Sequence, residues 1–260
     1  MTLKKKIIII VSLVVAIAAV AVIGGSLAWF MDADEVKNVF EIGSIEIVQH
    51  EQQYHENGDL EPFVNDKMLI PVIDNNDAIN DDNFQDKIVT VENIGKNEAY
   101  IQTYVAVPAV LDNVGIVHIY DENHADNGWT LVADVDTAVD GDQAKFEGVT
   151  IEGMLYNVYL YRYNTVLAPK ATTAPVIEGV YIDMIADLDV IRDANGDISN
   201  AYFVMNGQAV GGFDARDKLD IYVATQAIQA EGFDNAESAF ADGFGTGASS
   251  LPDFSKVVAP

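Results

Sequence analysis

No cysteine occurs anywhere in the chain. That excludes disulfides, thiol nucleophiles and cysteine metal centres, so stability has to come from a packed core or from assembly. Basic residues are scarce: 14 Lys and Arg stand against 41 Asp and Glu, a formal charge of −27. Nucleic acid and anionic membranes are poor partners for such a surface, because phosphate binding needs a basic footprint. The sequence also lacks an internal repeat, a nucleophile motif and a phosphate-binding loop. Leu251-Pro252-Asp253-Phe254 lacks the Thr-Gly of a covalent wall-sorting signal. An acidic exterior of this kind suits solubility, divalent cations or basic partners. Half of the residues are apolar, which separates the chain from disordered polymers.

The N-terminus is the one place where charge of the other sign collects. Lys4, Lys5 and Lys6 precede an apolar run from Ile7 to Ile23, with Ser12 its single polar residue, and then Gly24-Gly25-Ser26-Leu27-Ala28. A basic start, an apolar stretch and small residues at −3 and −1 make a secretory signal peptide, with cleavage expected after Ala28 to leave Trp29 as the new N-terminus. The competing reading is an uncleaved anchor, since seventeen positions lie at the lower limit for a spanning helix. Cleavage would remove the three lysines and leave 11 basic against 41 acidic residues, a formal charge of −30 on about 232 residues. That length is ample for one large β-domain. The expected organisation is a signal peptide (1–28), an N-terminal strand segment (29–48), a β-domain (49–242) and a flexible tail rich in Gly, Ser and Ala (243–260).

Beyond the signal, apolar and polar residues alternate with period two. Leu219–Thr225 and the run Ile101, Thr103, Val105 and Val107 show it, as do Phe40–Val48, Ile88–Glu92, Val114–Tyr120, Gly153–Tyr163, Val180–Ala186 and Ala201–Val204. Turn-forming clusters separate them, including Asn195-Gly196-Asp197 and Asn206-Gly207. Many short strands with frequent turns predict an all-β fold, an antiparallel β-sandwich of jelly-roll type. One short helix is expected near the end, capped at Asp234 with Glu237 three residues on and stopped at Gly243. Asp74–Asp86, with five aspartates, reads as a surface loop.

Three segments together carry a family resemblance. The first is Leu27-Ala28-Trp29-Phe30-Met31-Asp32, followed by Asn38-Val39-Phe40-Glu41-Ile42-Gly43-Ser44-Ile45-Glu46-Ile47. The second is Val91-Glu92-Asn93-Ile94-Gly95-Lys96-Asn97-Glu98-Ala99-Tyr100-Ile101. The third is Ala224–Phe233 running into Asp234-Asn235-Ala236-Glu237. In this order they resemble the TasA/camelysin family, exported proteins of Gram-positive bacteria processed by a SipW-type signal peptidase. Residues 108–218 carry no motif of the family, and Trp29 departs from the small residue often found at the mature start. The resemblance implies a jelly-roll subunit of extracellular biofilm-matrix fibres. Assembly in such proteins is by donor-strand exchange, each subunit's N-terminal segment completing the sheet of the next. The partners implied are further copies of this chain, head to tail, with matrix accessory proteins as candidates. Val39, Phe40, Ile42, Ile45 and Ile47 have the strand composition a donor needs, with Gly43 at a bend that resets the buried face. The alternative from the residues alone is that Val39–Val48 is the first strand of the chain's own sandwich.

Camelysin-like proteins have been associated with metalloprotease activity, which directs attention to His50-Glu51-Gln52-Gln53-Tyr54-His55. A zinc helix needs His at i and i+4, and i+4 here is Tyr54. His118, on a strand, and His124, in a loop, supply no spaced third ligand. Calcium is a candidate at Asp193, Asn195 and Asp197, whose oxygens alternate as in a hard-cation loop. An Asn-Gly hairpin turn explains the same residues without metal. Tyr159, Tyr161 and Tyr163 share one strand face, opposite Met154, Tyr156, Val158 and Leu160, so that strand is expected to be buried on both faces or to offer its tyrosines to a neighbour. The reading that results is a secreted, non-enzymatic structural subunit with no cofactor required. The alternatives are a monomeric secreted adhesion or binding module and, behind it, an extracellular metalloprotease.

Overall fold

The computed structural model describes residues 31–34, 45–55, 57–64, 70–121, 127–132, 145–216 and 219–256. In chain order the strands are β1 (Met31–Asp34), β2 (Ile47–Tyr54), β3 (Leu60–Pro62), β4 (Gln85–Asn93), β5 (Ala99–Pro108), β6 (Val117–Tyr120) and β7 (Trp129–Leu131). There follow β8 (Lys145–Ile151), β9 (Met154–Tyr163), β10 (Ile177–Ile182), β11 (Asp187–Arg192), β12 (Ile198–Met205), β13 (Gln208–Ala209) and β14 (Tyr222–Gln229). A short helix α1 (Ala109–Asp112) follows β5, and α2 (Ala236–Phe244) follows β14. The fold is an all-β antiparallel sandwich with one short C-terminal helix, as the alternation predicts.

The larger sheet runs β1-β14-β5-β9-β7, with β8 also paired to β9. Its centre is buried on both faces. Ile101, Val105, Val107, Tyr159, Tyr161, Val223 and Ala227 join the main core, which the second sheet, β3-β2-β4-β10-β6, closes with Ile47, Val89, Val91, Ile177 and Val180. The alternate residues Tyr104, Ala106, Tyr156, Val158, Leu160, Tyr222 and Ala224 form a separate cluster on the opposite face with Phe146 of β8 and Phe254. Period-two alternation therefore sorts side chains between two apolar layers instead of between core and water.

The Asn93-Ile94-Gly95 turn is where the chain changes sheets. Asn93 is fully buried; its amide donates to the carbonyls of Asn97 (2.9 Å) and Leu167 (3.0 Å), and its Oδ1 accepts from the Gly95 N–H at 3.0 Å. One side chain thus replaces the ladder bonds that β4 and β5 cannot give each other. A buried ion pair joins β2 to β4: Lys87, 2% exposed, meets Glu51 and lies 4.2 Å from the Phe63 ring centre.

A third, three-stranded sheet, β11-β12-β13, packs on the main core through Ala201 and Phe203. Asn206 and Gly207, at φ 52° and 76°, link β12 to β13 in the two-residue turn their sequence predicts. Glu152 and Gly153, at φ 49° and 87°, turn β8 into β9 in the same way without the usual Asn.

Three expectations about placement are corrected. The cap of α2 is Asn235, whose side chain accepts from the Ser238 N–H, and the helix ends at Gly245, φ 88°, not at Asp234 and Gly243. The extended Asn235 backbone (φ −161°) suits a cap, and Glu237 falls within the first turn, where acids favour the helix dipole. Within the tail expected over 243–260, the chain up to Lys256 folds back in two short 3₁₀ turns, burying Ser250 and Phe254 against the larger sheet. Phe254 supplies the apolar anchor that a composition of Gly, Ser and Ala conceals. Finally, β11 lies between the expected strands Val180–Ala186 and Ala201–Val204, where none was expected; it forms by pairing with β12 from Asp187↔Val204 to Arg192↔Ile198.

Candidate functional site

The edge of the larger sheet at β14 has unusual construction. All eight residues of Tyr222–Gln229 are buried. On one side β14 pairs with β5 over its full length, from Tyr222↔Ala106 to Gln229↔Ala99. On the other, among the described residues, it has only β1, which reaches from Thr225↔Asp34 to Ile228↔Met31. Where β1 stops, Gln49 of the second sheet takes over: its Nε2 donates to the Val223 carbonyl at 3.0 Å, and its Oε1 accepts from the Thr225 hydroxyl at 2.7 Å. Thr225 Oγ1 in turn lies 2.9 Å from Thr103 Oγ1. Among the described residues, the outer edge of β14 is met by four residues of β1 and the side chain of Gln49.

The residues singled out for strand donation divide. Ile45 and Ile47 belong to the chain's own core, at 7% and 2% exposure, and Ile47 pairs with Asn93 of β4. Both lie in the main core, between the two sheets. Val39, Phe40 and Ile42 lie outside the described residues, as do Ala28 and Trp29 at the expected cleavage site. The edge strand itself, β1, lies within the segment 29–48 expected to hold the donor strand, ahead of the five residues named for it.

Asp193, Asn195 and Asp197 form the β11–β12 turn. Asp193 Oδ1 accepts from the N–H groups of Asn195 (2.8 Å) and Asp197 (3.0 Å), and Gly196 at φ 90° closes the loop. The carboxylate serves the hairpin, as an Asx turn does. Among the described residues, no three His, Asp or Glu side chains gather into a group that could hold a metal. His50 sits on β2, not on a helix, with its Nε2 3.1 Å from Glu92, while His55 Nδ1 lies 3.1 Å from Asn57 Oδ1. His118 stacks on Tyr181 at 4.9 Å and lies 2.8 Å from Asp183; His124 is outside the described residues. Burial alone would raise the Asp183 carboxyl, but hydrogen bonds from Asn75, the Ile185 N–H and His118 outweigh it and hold it below its ordinary value.

The tyrosine face of β9 is core and not an interface. Tyr159 and Tyr161 are 8% and 3% exposed, and Tyr163 packs half-buried against Trp129 at 5.1 Å. The Tyr159 hydroxyl donates to Asp112 Oδ1 at 2.8 Å; Lys145 and Asn157 donate to Oδ2 of the same carboxylate. Tyr161 donates to Asp121 at 3.3 Å. Burial, reinforced by these carboxylates, pushes both phenols well above their ordinary value.

Sequence reasoning missed the polar residues of the opposite face. Gln102, Gln226 and Arg162 alternate with apolar neighbours and read as solvent-facing, yet Gln102 and Gln226 are 1% and 3% exposed. Gln102 Nε2 donates to Gln226 Oε1 (2.8 Å) and to the Tyr104 hydroxyl (3.0 Å); Tyr104 and Gln226 both donate to the Ser250 carbonyl, at 3.0 and 3.1 Å. Beside this network lies a cavity of about 250 Å³ between the sheet, α2 and the 245–250 turn. A usable signal existed in the helix-plus-tail that follows β14, which had to cover some face of the sheet. No family model, no curated protein and no solved structure matches this chain.

Proposed function

We propose that this protein is a secreted structural subunit that polymerises head to tail into extracellular fibres of a biofilm matrix, exchanging its N-terminal strand between copies. The carrying observation is the mismatch at β14, a strand buried along eight residues whose outer edge is covered by a four-residue strand. A short edge strand is the element a sheet surrenders most readily, since it forfeits few hydrogen bonds and regains the same ones in a neighbour. Residues 35–44 join β1 to the core anchor at Ile45, and ten extended residues reach at most about 33–36 Å. Exchange makes a heterologous contact, which propagates into filaments unless it closes into a ring. The exchanged unit in this reading is the chain ahead of Ile45, because Ile45 and Ile47 stay in their own domain.

The absence of cysteine permits a direct test. Asp32 and Ala227 are register partners. A chain starting at Trp29 and carrying Asp32→Cys and Ala227→Cys is expected to form disulfide-linked multimers when oxidised as filaments, and linked monomers when oxidised dilute. Filaments in negative stain that yield only internally linked monomers would refute exchange of β1. A chain starting at Ile45 is expected to keep its fold and form no filaments; unchanged filaments from it would refute the reading altogether.

A further inference from the structure

Side chains from three elements converge near the start of β9: the Lys145 amine of β8, the Asn157 carboxamide of β9 and the Asp112 carboxylate at the end of α1. Lys145 Nζ and Asn157 Nδ2 donate to one and the same atom, Asp112 Oδ2, at 2.7 and 2.5 Å. The other oxygen, Oδ1, accepts from the Tyr159 hydroxyl at 2.8 Å. That phenol keeps its proton, because burial, and then Asp112 itself, push it well above its ordinary value. Asn157 is fully buried, and the Lys145 and Asp112 side chains are 18% and 11% exposed, so little water reaches the cluster.

Satisfying Asp112 does not require all of these groups. Lys145 balances its charge and Tyr159 meets its second oxygen, so a buried carboxamide is one polar group more than the ion pair needs. The backbone is also shaped around that carboxamide. The β8–β9 register runs from Phe146↔Val158 to Val149↔Tyr156, which sets both Glu147 and Gly148 opposite Asn157. Gly148, at φ 66°, takes up the extra residue, and its N–H donates to Asn157 Oδ1 at 3.3 Å. Bulges of this kind re-aim side chains and recur beside reactive sites. The Asn157 amide thus has an N–H donor on its oxygen, a carboxylate on its nitrogen, and an amine on that same carboxylate.

We propose that Lys145 and Asn157 join in an intramolecular isopeptide bond, with Asp112 as the catalytic proton carrier. The Lys145 Nζ–Asn157 Cγ bond forms and the Asn157 Cγ–Nδ2 bond breaks. Nζ enters as ammonium and gives up two protons in turn to Asp112 Oδ2, which passes both to Nδ2. Ammonium leaves, and Asp112 ends as the carboxylate it began. The step needs no oxidant, cofactor or second substrate. The Gly148 N–H faces the charge that develops on Oδ1. Amines and amides are inert toward each other when free in water, but groups held in contact gain effective molarities of about 10⁵–10⁸ M. The bond ties β8 to β9 in a chain without cysteine, and it forms whether or not β1 is exchanged between copies.

The test is the mass of the full chain, purified and denatured. The main species is expected to be one ammonia lighter than its sequence requires. Trypsin is expected to spare Lys145 and release residues 97–162 as one peptide. Further cleavage after Glu147 and Glu152, which lie between the two residues, should leave the Lys145 and Asn157 pieces joined. That branched peptide is the decisive product, since a cyclised Asn-Gly pair also loses ammonia. Lys145→Arg keeps a cation on Asp112, and the fold with it, and is expected to restore the full mass. Asn157→Ala and Asp112→Ala are expected to do the same, with circular dichroism to establish that each is folded. A full chain at its sequence mass that trypsin cuts at Lys145 would overturn the proposal. So would an ammonia loss that maps to an Asn-Gly pair, or a loss of water that maps the bond to Asp112. A link that persists in folded Asp112→Ala protein would remove Asp112 from the step.

Discussion

The two faces of the larger sheet are built from alternate residues of the same three strands, yet they are different materials. Toward the second sheet, Ile101, Val105, Tyr161 and Val223 meet a continuous apolar layer, and the polar groups within it are paired: Thr103 with Thr225, Tyr159 with Asp112. Toward the C-terminal segment, Tyr104, Val158 and Leu160 are sealed by Phe146 and Phe254, but Gln102, Gln226 and Arg162 interrupt the apolar surface and two of their atoms go unmet. A sheet-on-sheet interface is about 10 Å of interdigitated side chains and tolerates no gap. A helix and two 3₁₀ turns laid across a flat sheet cannot match it residue for residue, and the mismatch is where polar atoms and a cavity collect. The continuous apolar packing belongs to the first face, and the unmet polar atoms to the second.

That contrast can be broken by mutation. The largest effect is expected from Ile101→Ala on the inner face, where a fully buried side chain has no neighbour free to collapse into the space. A loss of about 3–5 kcal/mol, read from chemical denaturation, is the expected cost, and a loss under about 1 kcal/mol would show that the inner layer is loosely packed. Phe254→Ala on the outer face removes a comparable volume from a thinner layer near the chain end. It is expected to cost about 2–3 kcal/mol, below the usual core phenylalanine, because residues 251–256 can settle onto the sheet. Equal costs at the two positions would erase the distinction.

The smallest effect at neutral pH is expected from Tyr104→Phe, about 1 kcal/mol for the hydrogen bond to Ser250. Its value lies in the pH profile. Burial pushes the Tyr104 phenol up to about 12, with the Ser250 bond and the Arg162 charge opposing that shift. A phenol raised in the folded state stabilises below its unfolded value near 10, and that contribution is lost as pH rises through the folded value. Between pH ~10 and ~12, Tyr104 therefore accounts for roughly 2–3 kcal/mol of lost stability. In the phenylalanine variant that part of the alkaline loss disappears, as thermal melts across the range would record. Tyr222, also held up to about 12 chiefly by burial, supplies a second alkaline loss that the variant leaves in place.

Which parts of this were readable in advance follows from the range of the interactions. β5, β9 and β14 announce themselves through period-two alternation, and Asn206-Gly207 through turn chemistry, because both are consequences of adjacent residues. The burial of β9 on two faces was legible too, since both its alternating sets are apolar. For the tyrosines the sequence left burial and an interface both open, because a phenol reads equally well as either. Only the positions of Asp112 and Asp121, 47 and 40 residues away in sequence, make burial of their hydroxyls tolerable. For the same reason Ile45 and Ile47, which have the composition of a donor strand, are core: composition states that a strand wants burial, not in which sheet it finds it.

The amino-acid sequence by itself determined an acidic, cysteine-free, antiparallel β protein, the approximate places of its longest strands and the helix after β14. These rest on local alternation, capping and charge, which need no partner to be expressed. Tertiary structure alone decided that β14 pairs with β1 over half its length and that Gln49 meets the Val223 carbonyl beyond it. It also decided that Gln102 and Arg162 share a cavity under α2. Those outcomes depend on contacts between residues 60 to 197 positions apart, and a pairing at that distance is set by the packing of whole sheets, not by the residues that happen to meet.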